Sequence, residues 1–184
     1  MAKIKKEETF LMWEDFKEDL SLTQLLAVAS KYKNWLKQTN LLFHGKETLD
    51  IMLWAKRTII SFGPYQNLTF FETSNRIYSD LVLLEAADTI LRKKNVMSIR
   101  LNMGNKGGSD MTITDKNGNS SKGEGFNTAC SFFQIKLRSD LKRFEEKETG
   151  YIAFNKTALD ERNMAYFIKK KDAFPNIEFI PCNI

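Results

Sequence analysis

The apolar residues of this chain change period near residue 95, and that change limits the folds open to it. Before that point they recur every three or four residues, the mark of helices packed by one face. After it they alternate. Met97, Ile99 and Leu101 point one way and Ser98, Arg100 and Asn102 the other, and Met111 and Ile113 repeat the pattern. Lys116-Asn117-Gly118-Asn119 sits between two such runs and reads as a hairpin turn, because Asn and Gly tolerate positive φ.

The helical half is expected to hold a helix over 7–20, then one from the capping box Ser21-Leu22-Thr23-Gln24 to about Gln38. Another is expected over 47–61, ending at the Gly63-Pro64 breaker, and a fourth over 75–94. The second half is expected to give strands over 96–102, 110–114 and 121–129. A helix from a second capping box, Ser131 to Gln134, to about Lys147 follows. A strand over 150–155, a helix over 159–171 and a strand over 177–181 complete the order. A meander on a helix followed by a crossover helix implies an α/β fold with a mixed four- or five-stranded sheet and helices on both faces. The division expected is a helical N-terminal part, 1–74, packed on an α/β core, 75–184, within one compact unit.

The 184 residues suffice for a sizeable core, and a composition 42% hydrophobic and 28% charged argues against extended disorder. A formal net charge of +5 favours a polyanionic partner. Cys130 and Cys182 lack metal-ligand spacing and are expected to be buried free thiols in a cytoplasmic protein. Nothing reads as a secretory leader or approaches the ~18 apolar residues of a membrane span. His44 is the one histidine, so histidine metal clusters are not expected; beside Gly45 it reads as a helix-capping or solvent-facing residue.

The chemistry concentrates between Gly108 and Phe144. Asp110 opens one strand of the hairpin and Glu124, within Gly123-Glu124-Gly125-Phe126, lies on the other. Two carboxylates on neighbouring strands suit Mg²⁺, which prefers carboxylates and water. Hairpin arithmetic decides whether they meet. A two-residue loop at Asn117-Gly118 sends them to opposite faces; a loop of three or five residues centred on Asn117 sets them opposite each other on one face. Both registers are open on sequence alone. The plainer reading makes Asp110 a strand start and Glu124 a solvated residue. Lys136, Arg138, Lys142 and Arg143 follow on the next helix, either as a solvated face or as a phosphate-contacting one. Glu85 interrupts an apolar run on the fourth helix and needs a partner unless it lies at the edge of that face.

The helix-βββ-helix-β order with Asp110 and Glu124 in these places resembles the core of the PD-(D/E)xK nuclease superfamily, over roughly residues 75–156. The resemblance implies that Asp110 and Glu124 bind Mg²⁺, with Mn²⁺ as a substitute, and that Glu85 supplies a third acid. The family's lysine position holds Phe126, and Ser109 stands where its proline precedes the first acid. The resemblance then implies a displaced lysine: Lys136 from the following helix, with Lys122 in reserve. The expected function is a Mg²⁺-dependent DNA endonuclease of restriction type, with Arg138, Lys142, Arg143 and Lys122 on the nucleic acid and a possible homodimer. The alternative is a catalytically inactive protein on the same fold, serving as a nucleic-acid-binding or protein-interaction module.

Overall fold

A computed structural model describes residues 5–40, 47–104, 107–145 and 147–184. His44 and Gly45 lie outside the described residues. The chain is α/β, with a mixed five-stranded sheet flanked by helices and a small antiparallel hairpin beside it. The elements in order are α1 (Lys6–Thr9), α2 (Leu22–Gln38), α3 (Thr48–Arg57), β1 (Ile59–Phe62), β2 (Tyr65–Thr69) and α4 (Phe70–Leu91). Then come β3 (Val96–Leu101), β4 (Met111–Asp115), β5 (Ser120–Phe126), α5 (Phe133–Leu141), β6 (Gly150–Asn155), α6 (Glu161–Ala173) and β7 (Ile177–Cys182).

The large sheet runs β3-β4-β5-β6-β7. Its first three strands are antiparallel, and β5, β6 and β7 are parallel. The helices α5 and α6 are the crossovers that parallel pairing requires. One face packs on α4 and the N-terminal part: Phe10, Phe16, Leu25 and Tyr32 share a core with Val82, Ile90, Ile99 and Ile113. The other face packs on α5 and α6 through Phe126, Phe133, Leu137, Ile152 and Phe154.

The N-terminal part departs from the expected run of helices. Residues 7–20 do not form one helix; α1 is short and Trp13–Phe16 is a single 3₁₀ turn. This lets Phe10, Met12 and Phe16, which no single helical face would bury together, all enter the core. The expected helix over 47–61 ends at Arg57, and Gly63-Pro64 is the turn of the β1–β2 hairpin. Gly63 has φ +55°, so the pair turns the chain back on itself. Thr69 caps α4 in a box with Glu72, starting that helix five residues ahead of Asn75. The Ser21–Gln24 box forms as expected. The Ser131–Gln134 box does not: Phe132 is the N-cap of α5, and Gln134 Nε2 instead donates to Asn163 Oδ1 at 3.1 Å. The helix ends at Leu141, short of Lys147.

The hairpin register is resolved. Met111 pairs with Gly123 and Thr114 with Ser120, so residues 116–118 form a three-residue loop with Asn117 at its centre. Continued outward by one pair, this register sets Asp110 opposite Glu124 on the α5 face of the sheet.

Gly125 holds α4 against β5. A Cβ there would stand 2.4 Å from Leu83 Cδ2, and Leu83 is itself buried. Gly125→Ala is therefore expected to lower stability by about 1–3 kcal/mol in urea denaturation. Combined with Leu83→Ala it should cost less than the sum by at least ~0.5 kcal/mol. Strict additivity would show that this contact does not set the helix–strand distance.

Candidate active site

A cleft of about 490 Å³ opens beyond the C-terminal ends of β3 and β5, between the N-terminal half of α4 and the start of α5. Open α/β sheets bind ligands outside the carboxyl ends of their strands. Asn75, Arg76, Ser79 and Asp80 line it from α4; Asn102, Gly107, Gly108 and Asp110 from the β3–β4 connection; Lys136 and Arg143 from the α5 side.

Asp110 accepts the Gly125 N–H at Oδ2, 2.9 Å away. Its neighbour Glu124 is fully buried and contributes nothing to the cleft wall. Burial first, then the Asp110 charge, pushes Glu124 up to about 7, against the opposing charge of Arg143. The Arg143 guanidinium spans both sides of the site, with Nη1 on Glu124 Oε2 and Nη2 on the Gly108 carbonyl. Glu124 Oε1 is buried without a hydrogen-bond partner. A buried acceptor with no donor is costly, and a cation beside it removes that cost.

Lys136 projects from α5 into the cleft. Its Nζ lies 3.3 Å from Asp140 Oδ1 and 5.9 Å from the centre of the Phe126 ring. The ammonium therefore lies over the face of Phe126. Phe126 is locked in an aromatic cluster with Phe133 and Phe154. Asp140 is buried, with Oδ2 unpartnered, and burial raises its pKa against the opposing Lys136 charge.

The structure separates the remaining candidates from this centre. Glu85 accepts the Asn183 N–H at 2.7 Å and lines a different groove, between α2 and α4. It does not join Asp110 and Glu124. Lys122 pairs with Glu148 at 2.8 Å and donates to the Arg143 carbonyl, so its ammonium is engaged away from the cleft. Arg138 and Lys142 are exposed on and just past α5 and do not line the cleft. Arg143 is the internal partner of Glu124 as well as a cleft residue. Cys182 is buried, as expected, whereas Cys130 is exposed.

Sequence reasoning missed Asp80. It lies about 1.4 turns before Glu85 and faces the cleft. Its Oδ2 accepts the Tyr32 hydroxyl at 2.7 Å and the Tyr65 hydroxyl at 2.6 Å. Burial raises Asp80 to about 7, opposed by those two hydrogen bonds and by Arg76, and reinforced by Asp110. The available signal was an acid at the head of the apolar run Leu81–Leu84. Its partners, 48 and 15 residues away, had none.

Among the described residues, no group of three or more His, Cys, Asp or Glu side chains is arranged to hold a metal, and no helix is long and apolar enough to cross a membrane. The carboxylate pair remains the candidate. Mg²⁺ commonly takes one or two carboxylates and fills its other positions with water and substrate phosphate. The adjacent acids and the orphaned Glu124 Oε1 fit such an ion. No family model, no curated protein and no solved structure matches the chain.

The buried acids set a pH dependence. Raised folded-state values mean that the folded chain binds more protons than the unfolded chain between the ordinary carboxylate range and about pH 7. Their stability contribution is then lost as pH rises through that window. The thermal midpoint should fall between about pH 5.5 and about pH 8, with Asp80 contributing on the order of 1–2 kcal/mol. Asp80→Asn keeps an acceptor for both tyrosines and should flatten the profile; an unchanged slope would remove Asp80 as its source.

Proposed function

We propose that this protein is a divalent-metal-dependent deoxyribonuclease with a restriction-endonuclease-like core. The observation that carries the reading is the hairpin register that sets Asp110 and Glu124 side by side, next to a cleft bearing Lys136, Arg143 and Arg76. The order of elements from α4 to β6, with the antiparallel-to-parallel change at β5, supports it further.

In this reading Asp110 and Glu124 hold Mg²⁺ or Mn²⁺, which supplies Lewis-acid stabilisation of the charge that builds on the scissile phosphate. Asp110 is kept in orientation by the Gly125 N–H. Lys136 orients the attacking water and stabilises the negative charge developing on the phosphate oxygens. Asp140 holds the Lys136 ammonium over Phe126 until substrate enters. Arg76 and Arg143 meet phosphate oxygens at the two walls of the cleft, and exposed Arg138 and Lys142 add weaker, salt-sensitive contacts to the backbone.

Plasmid cleavage in Mg²⁺ or Mn²⁺ tests the reading. Asp110→Asn and Glu124→Gln should each reduce the rate by at least about a hundredfold, and Lys136→Ala by a comparable factor with DNA affinity little changed. Lys122→Ala should cut much as the wild type does. Normal cleavage by Lys136→Ala would remove that lysine from the chemistry. A wild type that cuts no DNA with either metal overturns the enzymatic reading and leaves the nucleic-acid-binding alternative.

A further inference from the structure

We propose that Arg143 is a latch on the metal site: it occupies Glu124 in the free protein, and a nucleic-acid phosphate entering the cleft draws it away and opens Glu124 to the metal. This rests on the nuclease reading of Asp110 and Glu124.

The geometry begins with access. Asp110 and Arg143 line the cleft, whereas Glu124 does not. The Glu124 side chain is 0% exposed and that of Arg143 is 42% exposed, so the guanidinium is the outer member of the pair. Its fork is divided, with Nη1 on Glu124 Oε2 and Nη2 on the Gly108 carbonyl across the cleft mouth. An ion that takes Glu124 Oε2 displaces that guanidinium, and one that binds both carboxylate oxygens must do so. It must also take over the charge compensation that Arg143 gives the buried Glu124 beside Asp110.

The latch can open. Arg143 lies past the end of α5 in a turn closed by its N–H to the Asp140 carbonyl at 3.0 Å, so releasing its side chain breaks no hydrogen bond within the helix. A phosphate is the ligand best suited to draw it off. It offers two coplanar acceptors to a guanidinium, whereas here one donor goes to a carboxylate oxygen and the other to a neutral carbonyl. Lys136 and Arg76 line the same cleft and add attraction for the incoming anion. Metal and nucleic acid then bind cooperatively, because each removes an obstacle to the other, and linkage makes the effect reciprocal. The free protein is left with a weak metal site and an empty-handed carboxylate pair is avoided.

The test reads metal binding, not cleavage. Mn²⁺ affinity is measured by titration calorimetry at constant ionic strength. The wild type is titrated alone and with a short phosphorothioate duplex, after subtraction of Mn²⁺ binding to the duplex itself. The duplex should tighten wild-type binding by about tenfold or more. Arg143→Gln alone should bind Mn²⁺ at least about tenfold more tightly than the wild type alone, and the duplex should then add little. Equal wild-type affinity with and without duplex overturns the latch, and that arm needs no variant. Arg143→Gln that is folded by circular dichroism yet binds no more tightly overturns it too. The controls are Asp110→Asn and Glu124→Gln. If they abolish Mn²⁺ binding while Arg143→Gln and duplex leave it unmoved, the metal site stands and the latch falls. If they leave binding intact, or if the wild type binds no Mn²⁺ under either condition, the metal site itself is wrong and the latch falls with it.

Discussion

The register of the β4–β5 hairpin is the constraint on which the site depends. Side chains on a strand alternate faces, so a slip of one residue would move Glu124 to the α4 face and leave Asp110 alone. The three-residue loop prevents the slip. Asp115 Oδ1 accepts the backbone N–H groups of Asn117 and Asn119 at 2.8 and 2.9 Å, and Gly118 takes φ +83°. These contacts make the loop a defined turn, and each residue in it is suited by chemistry to its place. On the far side, Gly123 and Gly125 give the α4 face of β5 no side chains, which admits Met111 and Leu83. The same alternation that delivers Glu124 to α5 thus seats α4.

Once the acids are together, their repulsion shapes what surrounds them. Arg143 compensates Glu124 and Lys136 compensates Asp140, and both bases come from α5 or the turn that follows it. Asp80 is held apart by its two tyrosines, which tie α2 and β2 of the N-terminal part to the wall of the cleft. The N-terminal part is therefore more than a cover for the sheet. It supplies the donors that allow a carboxylate to be buried in α4 beside Asp110, where desolvation alone would exclude it.

Much of the core was legible in the sequence because its strands carry their own period. The strand over 150–155 has the bounds expected, and β3, β4 and β5 lie where the alternation and Asn117-Gly118 put them. The candidate pair was legible too, along with the condition for its meeting. The rest depended on long-range contacts. Phe10, Trp13, Phe16 and Leu20 have the spacing of one helical face, but the chain turns between them and Met12 is buried as well. Ser131 and Gln134 make a sound capping box in isolation, yet Gln134 is drawn to Asn163 on α6. Glu85 stands out in the sequence because it interrupts an apolar run, whereas Asp80 sits at the head of that run and does not. In α4 the five-residue offset turns the two acids toward different grooves, which only the packing of the helix reveals.

The central claim is that Asp110 and Glu124 together form a divalent-metal site. The most direct measurement is an anomalous difference map from crystals soaked in Mn²⁺ with a phosphorothioate duplex bound. The account predicts one strong peak within coordination distance of both carboxylates, with Arg143 turned away from Glu124 and onto phosphate. A map with no peak there, or with manganese only at surface carboxylates while Arg143 still holds Glu124, would contradict it.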